Sequence, residues 1–472
     1  MFTLEERIAH FAKLTPDKPA VIFSGQMLTY ADLWRSIKEK AQALGLKEGL
    51  SHVFVATQDI DFIVTYCAVH LCGAVAIPIE RSTPIERQMQ IQAEVKDFPF
   101  ASETIDVLYT TGTTGEAKGV MISGKAWIAN SENLIERLGF TQDLLFIICG
   151  PLNHLGSLSK IYPTFTTGGT LYIMEGLKDL NAFFSVFELP FRKFATFLVP
   201  SSIRILLQIA SKQLAAVSEK IDFIETGAAP ISQHDMEQLC KILPKSRLYN
   251  TYASTETGIV CSYEFSKYGC EPGLLGKPMK HSSVRIGEDG RVICSGDTIM
   301  SGYVNAPEAT AKVLKDNEIH TSDIGIIDEN GMLRLQGRLN DIINVGGFKV
   351  NPSEVEDAVS AFELIQDCIC VPAWHIVLGT VPKLIYVPKA GQTVKPKDIA
   401  DFLKGRIEDY KIPLLYEAVE TIKRTYNGKL DRKAYSPQPP SVFCPPSSKA
   451  LPNCTATNGQ LPKGGGFESK QN

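Results

Sequence analysis

Short apolar runs alternate with longer segments of helical length as far as residue 226. Each run spans only a few residues and is bounded by polar or turn-forming residues, which is typical of buried strands. Helices are predicted at the segment that opens with Tyr30 and over residues 62–72, and Pro78 is expected to end the third strand. The predicted strands cover residues 20–23, 53–56, 73–78, 107–109, 145–148, 170–173, 197–199 and 223–226.

The pattern changes after residue 275, where two stretches alternate between apolar and polar positions. Residues 285–294 contain an Asp-Gly turn at 289–290, and residues 326–335 contain an Asn-Gly turn at 330–331. Both dipeptides are strong signals for a β-hairpin. The fold class predicted for the chain is therefore α/β, with a large unit of parallel sheets and a small antiparallel β unit. In such a fold, ligands bind at the carboxyl ends of the parallel strands.

Three regions follow one another along the chain. Residues 1–338 are predicted to form an N-terminal domain that includes both the α/β subdomains and the β subdomain. Residues 339–435 have α+β character and are predicted to form a smaller C-terminal domain. Residues 436–472 are rich in Pro, Ser, Gly, Asn and Lys, and we expect a disordered tail because they hold too few aliphatic side chains to offset chain entropy.

Composition narrows the class of protein. The chain has 472 residues, 44% hydrophobic and 21% charged, which suits a globular protein of two or three folding units. The net charge of −4 gives no sign of a nucleic-acid surface or a polybasic membrane anchor. No apolar run is long enough to span a membrane and the first residues do not resemble a secretory signal, so we expect a cytoplasmic protein whose 11 cysteines are reduced.

The segment 109–119 carries the strongest chemical signal in the sequence. It follows an apolar strand and contains three glycines and four threonines. Glycines let the backbone N–H groups approach an anion, and the hydroxyls and a lysine add further donors to phosphate oxygens. The spacing excludes a Walker A loop, and the alternative is a flexible polar loop. The candidate nucleotide-binding residues are Thr110, Thr111, Gly112, Thr113, Thr114, Gly115 and Lys118.

This loop resembles the phosphate loop of the acyl-adenylate-forming superfamily, which includes acyl- and aryl-CoA synthetases, nonribosomal-peptide adenylation domains and firefly luciferase. The resemblance implies ATP-dependent activation of a carboxylic acid as its acyl-AMP, followed by transfer to a thiol. It implies ATP, Mg²⁺ and CoA, or the phosphopantetheine of a carrier protein, as cofactors. Further motifs of this family are matched in order at residues 29–33, 70–75, 252–256, 322–325, 337–338, 346–349 and 427–429.

The resemblance assigns roles in nucleotide binding. Glu256, beside Thr255, is expected to hold the metal ion, because a hard carboxylate oxygen suits magnesium. Asp323 is expected to accept hydrogen bonds from both ribose hydroxyls, with Arg338 close to the ribose or a phosphate. The further residues expected along the adenine and acyl pocket are Gly227, Ala228, Ala229 and Tyr252, of which the last would stack on adenine.

The same resemblance implies two half-reactions served by a mobile C-terminal domain. Lys429 is expected to bridge the acyl carboxylate and the α-phosphate, since a compact positive charge stabilises the pentavalent centre. After adenylation Lys429 would leave, and Gly347 would line the tunnel for the thiol. Asn340 falls at the hinge position, where a few residues absorb the change in backbone angles. We expect Asn340→Pro to spare adenylation and to block thioester formation.

His154 lies in a segment where such synthetases place an aromatic or histidine gate for the acyl group. No acidic residue follows over residues 155–158, so an α-amino acid substrate is disfavoured, because its buried ammonium would have no partner. Lys160 and Arg204 could bind a second carboxylate, but a surface charge is the simpler interpretation of each. Two alternatives remain open: loading of a carrier protein, and a non-catalytic nucleotide-binding relative. The oligomeric state is not predicted.

Overall fold

The chain is described by a computed structural model that covers residues 3–110, 117–339, 341–345, 348–375, 379–425 and 430–435. Eight of the predicted site residues lie outside these ranges: Thr111, Gly112, Thr113, Thr114, Gly115, Asn340, Gly347 and Lys429. Within the described ranges, no helix combines the length and the apolar character that a membrane span requires.

The N-terminal region, up to Tyr268, alternates helices and strands as the sequence predicts. Threonine, serine and aspartate side chains cap several of its helices, as Thr29 does where it accepts a hydrogen bond from the Asp32 N–H. The elements are α1 (Leu4–Leu14), β1 (Pro19–Phe23), β2 (Gln26–Thr29), α2 (Tyr30–Leu44), β3 (Ser51–Val55), α3 (Ile60–Leu71), β4 (Val75–Ile79), α4 (Ile85–Val95), β5 (Thr104–Thr110), β6 (Lys118–Ser123), α5 (Gly124–Leu138), β7 (Leu144–Ile148), α6 (Leu155–Leu158), α7 (Ile161–Thr167), β8 (Thr170–Ile173), α8 (Leu180–Ser185), β9 (Lys193–Leu198), α9 (Pro200–Ile209), α10 (Ser211–Ala216), β10 (Ile221–Gly227), α11 (Gln233–Ile242), β11 (Arg247–Ser254), β12 (Gly258–Glu264) and α12 (Phe265–Tyr268).

The remaining elements are mostly antiparallel strands. The two predicted hairpins are confirmed as β14–β15 and β18–β19, and the predicted domain boundary coincides with the last residue of β19. That boundary stays a prediction. The elements are β13 (Leu274–Gly276), β14 (Ser282–Ile286), β15 (Arg291–Gly296), β16 (Gly302–Tyr303), α13 (Pro307–Val313), β17 (Leu314–Lys315), β18 (Glu318–Ile327), β19 (Leu333–Arg338), β20 (Ile343–Val345), β21 (Phe348–Val350), α14 (Pro352–Ser360), β22 (Ile365–His375), β23 (Gly379–Pro388), α15 (Pro396–Leu403) and β24 (Leu415–Ala418).

Two largely parallel sheets carry the first region. The larger has the strand order β12-β11-β10-β9-β7-β8-β1-β2, and the smaller has the order β16-β6-β5-β4-β3. Their central pairs are parallel, whereas β2, β6, β12 and β16 pair antiparallel with their neighbours. A third, antiparallel sheet contains β13, β19, β18, β15 and β14, with β17 on β18. The predicted α/β class with a small antiparallel β unit is thereby confirmed.

The expectation that Pro78 ends its strand is wrong. Strand β4 continues to Ile79, whose carbonyl accepts a hydrogen bond from the Ala56 N–H on the side of β3. Because backbone groups of successive residues face opposite sides, the nitrogen of Pro78 faces β5. Pairing between β4 and β5 is confined to Ala76 and Asp106, so no ladder hydrogen bond needs a donor at Pro78.

Candidate active site

All the predicted site residues that the structure describes line one large cavity. Its volume of about 2620 Å³ exceeds the roughly 1,000 Å³ that a single small-ligand pocket reaches, so it has room for a nucleotide and a second substrate together. Segments far apart in sequence contribute to its wall. The predicted residues in the wall are Thr110, Lys118, His154, Gly227, Ala228, Ala229, Tyr252, Thr255, Glu256, Asp323 and Arg338.

Thr110 and Lys118 hold the two ends of the glycine- and threonine-rich loop together. Strands β5 and β6 pair antiparallel, and these two residues are directly opposite each other in that pairing. The Lys118 ammonium lies 5.1 Å from the centre of the Tyr303 ring, which favours a cation over its face. The described residues on either side of segment 111–116 are therefore paired, and Lys118 presents a positive charge to the cavity.

Glu256 lies in the turn between β11 and β12. Reciprocal hydrogen bonds between Ser254 and Thr257 close this turn, with distances of 3.0 and 3.1 Å from backbone N–H to side-chain oxygen. Thr255 occupies the same turn. The Oε1 atom of Glu256 accepts a 2.9 Å hydrogen bond from the Tyr303 hydroxyl, which fixes the carboxylate at the cavity wall.

Tyr303 is a site residue that the sequence analysis missed. It belongs to β16, which has two residues and pairs with β6 beyond the phosphate loop. Burial and the neighbouring Glu256 raise the pKa of its hydroxyl, so Tyr303 stays a hydrogen-bond donor. Periodicity carries no signal for so short a strand, and the contact joins positions 47 residues apart.

Asp323 is the centre of a second polar cluster. It lies opposite Arg338 on the paired strands β18 and β19. One carboxylate oxygen accepts a 2.7 Å hydrogen bond from the Tyr252 hydroxyl, and the other accepts a 3.0 Å hydrogen bond from Arg338 Nε. Burial opposes the charge on Arg338, but Asp323 outweighs it and raises the pKa of the guanidinium. Each carboxylate oxygen keeps a lone pair that is available to a diol.

Ala228 adopts a backbone conformation that is rare for residues other than glycine. It follows β10 with φ = 67°, which lies in the left-handed region, and its side chain is exposed in the cavity wall. The preceding Gly227 is close to β11, since a β-carbon there would lie 2.6 Å from the Thr251 carbonyl oxygen. Strain of this kind occurs at ligand sites, where surrounding structure enforces it. Small side chains at residues 227–229 leave this edge of the cavity open.

His154 precedes α6, and its carbonyl accepts hydrogen bonds from the N–H groups of Ser157 and Leu158. The side chain is half-buried and borders the cavity, as the predicted acyl gate requires. Its role stays a prediction.

Lys160 is not the surface charge that the sequence suggested. Its side chain is 2% exposed, and Nζ lies 2.7 Å from Oε2 of Glu225, whose side chain is 1% exposed. Burial lowers the pKa of Lys160, while the charge of Glu225 opposes that shift. Both residues line the cavity, together with Phe197, whose ring centre lies 5.2 Å from Lys160 Nζ.

Arg204 is likewise not a free surface charge. It lies on α9 and contacts Asp235 of α11 and Asp367 of β22, each at 2.9 Å. Arg424 also pairs with Asp367. Burial opposes the charge on Arg204, yet the two carboxylates raise its pKa. Arg204 therefore links the N-terminal region to the region after residue 338 and is not available to a substrate carboxylate.

A magnesium ion fits this site if its other ligands arrive with the nucleotide. Within the described part of the chain, no three His, Cys, Asp or Glu side chains form a group that could hold a metal by themselves. Magnesium commonly binds one or two carboxylates and completes its shell with phosphate oxygens and water. Glu256 offers one carboxylate at the cavity wall near Lys118, which suits that kind of binding.

Comparison with known proteins adds a family relationship to this geometry. The model of the "AMP-binding enzyme" family matches residues 8–97 and 94–304, and that of the "AMP-binding enzyme C-terminal domain" matches residues 354–429. Feruloyl-CoA synthase from Amycolatopsis sp. is 25% identical over 89% of this chain and 95% of its own length. A 2-succinylbenzoate–CoA ligase from Bacillus cereus is 24% identical over 92% and 98% of the two lengths. The 4-coumarate–CoA ligase 1 of Solanum tuberosum is 28% identical over 72% and 66%.

Solved structures share the fold over nearly the whole length. ATP-bound MatB from Rhodopseudomonas palustris superposes with a TM-score of 0.81 at 21% identity, and the match covers 92% of this chain and 99% of that one. The o-succinylbenzoate CoA synthetase from Bacillus subtilis, in complex with its acyl-adenylate intermediate, superposes with a TM-score of 0.77 at 21% identity, covering 91% and 97%.

Proposed function

Since the chain belongs to the family of AMP-binding enzymes, we propose that it is an ATP-dependent acid–thiol ligase. It converts a carboxylic acid that is not an α-amino acid into its acyl-AMP and then transfers the acyl group to the thiol of CoA. The observation that carries the proposal is the convergence of Lys118, Glu256 and Asp323 on one cavity. These three residues come from separate sheets and turns, and each suits a different part of a nucleotide.

Each of these residues has a distinct task in the proposed reaction. Asp323, oriented by Tyr252 and Arg338, holds the ribose hydroxyls. Lys118 neutralises phosphate charge, which lowers the repulsion that an attacking carboxylate meets. Glu256, oriented by Tyr303, holds magnesium, which would neutralise further phosphate charge when bound. Thr110 to Gly115 would wrap the phosphates and Lys429 would contact the reacting carboxylate.

CoA is the acceptor that the relatives favour. The feruloyl, 2-succinylbenzoate and 4-coumarate enzymes are all named for CoA products. A carrier-protein phosphopantetheine presents the same thiol arm, and no described residue distinguishes the two acceptors. Asn340 as the hinge and Gly347 as part of the thiol tunnel belong to the same proposal.

An acid-dependent ATP–pyrophosphate exchange assay tests adenylation without any thiol. The panel contains fatty, aryl, dicarboxylic and amino acids. We expect exchange with one class of acid and none with α-amino acids; addition of CoA should then yield the thioester. If the chain catalyses exchange and transfers the acyl group to a carrier protein but not to CoA, the acceptor is the carrier protein. Protein that binds ATP yet exchanges with no acid would favour the non-catalytic alternative.

A further inference from the structure

The buried pair of Lys160 and Glu225 lies in the wall of the large cavity, below the strand end that is proposed to border the acid. Glu225 lies on β10, and its side chain points to the same face of the sheet as position 227. Gly227 is two residues further along the strand, at its carboxyl end. Lys160 lies between α6 and α7, and its 2.7 Å contact with Glu225 brings this segment to the same strand. At about 3.3 Å per residue, the pair is about 7 Å deeper than Gly227, a depth similar to the length of an aromatic ring with one substituent.

The hydrogen bonding of Glu225 is incomplete. Apart from the 2.7 Å contact with Lys160, neither carboxylate oxygen has a hydrogen-bond partner among the described residues. Both oxygens are closed to water. A buried carboxylate normally accepts several hydrogen bonds, and one without them is costly. A hydrophobic pair of similar volume would usually stabilise the fold at least as well, so stability alone does not explain this ion pair.

The charges of the pair cancel, and this limits what the pair can bind. A second carboxylate on the substrate would be repelled by Glu225, and an ammonium group would be repelled by Lys160. A neutral hydroxyl can donate to Glu225 and accept from Lys160 at once. The Phe197 ring contacts Lys160 and lies against Gly156, where a β-carbon would approach it to 2.8 Å. This ring offers a flat surface for an aromatic substrate.

We propose that Lys160 and Glu225 form the far end of the acid pocket and select an aromatic acid with a neutral hydroxyl opposite its carboxylate. This inference rests on the proposed ligase function and deepens it. Because the Phe197 ring contacts Lys160, the proposal requires this ring to move aside, so that the hydroxyl can complete the hydrogen bonding of Glu225. The pair thus acts in specificity and takes no part in bond making.

The test measures ATP–pyrophosphate exchange with benzoic and cinnamic acids that carry hydrogen, hydroxyl, carboxylate or aminomethyl at the para position. For the wild-type chain, we expect kcat/KM to be at least about tenfold higher for the hydroxyl member than for the unsubstituted acid, as one hydrogen bond to a charged group allows. Fatty acids and dicarboxylic acids complete the panel. A wild-type chain that uses only aliphatic acids would overturn the inference and leave the ligase function standing.

Two variants change the charge of the pair in opposite directions. Glu225→Gln leaves the Lys160 ammonium unbalanced, and we expect the para-carboxylate acid to become the preferred aromatic substrate. Lys160→Met leaves the Glu225 carboxylate unbalanced, and we expect preference for the aminomethyl acid. The double variant Lys160→Met/Glu225→Leu removes both buried charges, so it should fold and should prefer the unsubstituted acid. Glu219→Gln, in an exposed pair with Lys245, is the matched control.

The outcomes separate the inference from the proposed function. A reciprocal change in the ranking of acids supports specificity at this pair. An unchanged ranking in all three variants, even with lower rates, would show that the pair is only structural. If the wild-type chain exchanges with no acid of any class, the ligase function itself fails, and the inference fails with it.

Discussion

The hydroxyl of Tyr303 donates a 2.9 Å hydrogen bond to Oε1 of Glu256, and the same ring lies beneath the Lys118 ammonium at 5.1 Å. One side chain therefore touches both the residue proposed to hold the metal and the residue that ends the phosphate loop. Because β16 pairs with β6, the backbone holds Tyr303 beside the strand that begins at Lys118.

Replacement of Tyr303 by phenylalanine should slow adenylation while the fold is kept. The variant loses one hydrogen bond to a charged group, worth about 1.5–3 kcal/mol, so the exchange rate should fall about tenfold or more. The magnesium concentration for half-maximal rate should rise, because Glu256 is no longer held in place. Tyr268→Phe, at an exposed tyrosine, is the control. Equal magnesium dependence in both variants would contradict the orienting role.

Replacement of Asp323 by asparagine should weaken nucleotide binding selectively. The amide keeps the size of the side chain, but its NH₂ group would face either the Tyr252 hydroxyl or Arg338 Nε, both of which now donate to the carboxylate. We expect the KM for ATP to rise at least about tenfold with little change in the KM for the acid. Asp401→Asn, in an exposed pair with Lys404, should leave both constants unchanged. A rise in the KM for the acid alone would contradict the proposal that Asp323 binds the ribose, and would indicate that it contacts the acid.

Lys429→Ala should separate the two half-reactions. If Lys429 contacts the acid carboxylate and the α-phosphate, its loss should reduce pyrophosphate exchange by several orders of magnitude. Conversion of preformed acyl-AMP to thioester should continue, since in the proposed mechanism that step would use the other arrangement of the C-terminal domain. Lys397→Ala, at an exposed lysine on α15, should affect neither step. Loss of both steps in folded protein would argue against two conformations.

His70 should make the fold less stable as the pH becomes alkaline. Its ring is buried between Glu5 at 3.2 Å and Asp106 at 3.4 Å. Burial opposes its charge, but the two carboxylates outweigh it and raise the pKa from 6.5 to about 10. Because the folded-state pKa is raised, the stabilisation is complete below pH 6.5 and is lost as the pH rises through about 10.

Urea denaturation at several pH values checks this expectation. The free energy of unfolding of the wild-type chain should fall between pH 6.5 and 10 relative to His70→Gln, by about 1.4 kcal/mol for each unit of pKa shift that is realised. The exposed His10 provides the control variant His10→Gln, which should follow the wild-type curve. Parallel curves for wild type and His70→Gln would mean that His70 is uncharged in the fold.

Local sequence patterns were sufficient to predict the fold class and those candidate site residues that lie within a single short motif. Buried strands are recognisable as short apolar runs, and the two hairpins contain turn dipeptides that favour hairpin geometry. The segment 109–119 was predicted from its own residues, whereas Glu256 and Asp323 were predicted from the resemblance to a known family. The structure brings Lys118, Glu256 and Asp323 to one cavity, and their roles stay predictions. Cys368 and Cys370 lie two positions apart on β22, and both are buried, as the alternation of side chains along a strand requires of two residues on one buried face.

Tertiary structure alone decided the contacts between distant segments. Tyr303 reaches Glu256 because a two-residue strand pairs with β6, and the segment between α6 and α7 brings Lys160 to Glu225 on β10. Pro78 stays inside β4 because the neighbouring strand stops pairing beyond Ala76. Side-chain periodicity indicates only which face of an element is buried. Whether a charge can be buried, or a proline can stay inside a strand, depends on the neighbouring groups that other parts of the chain supply.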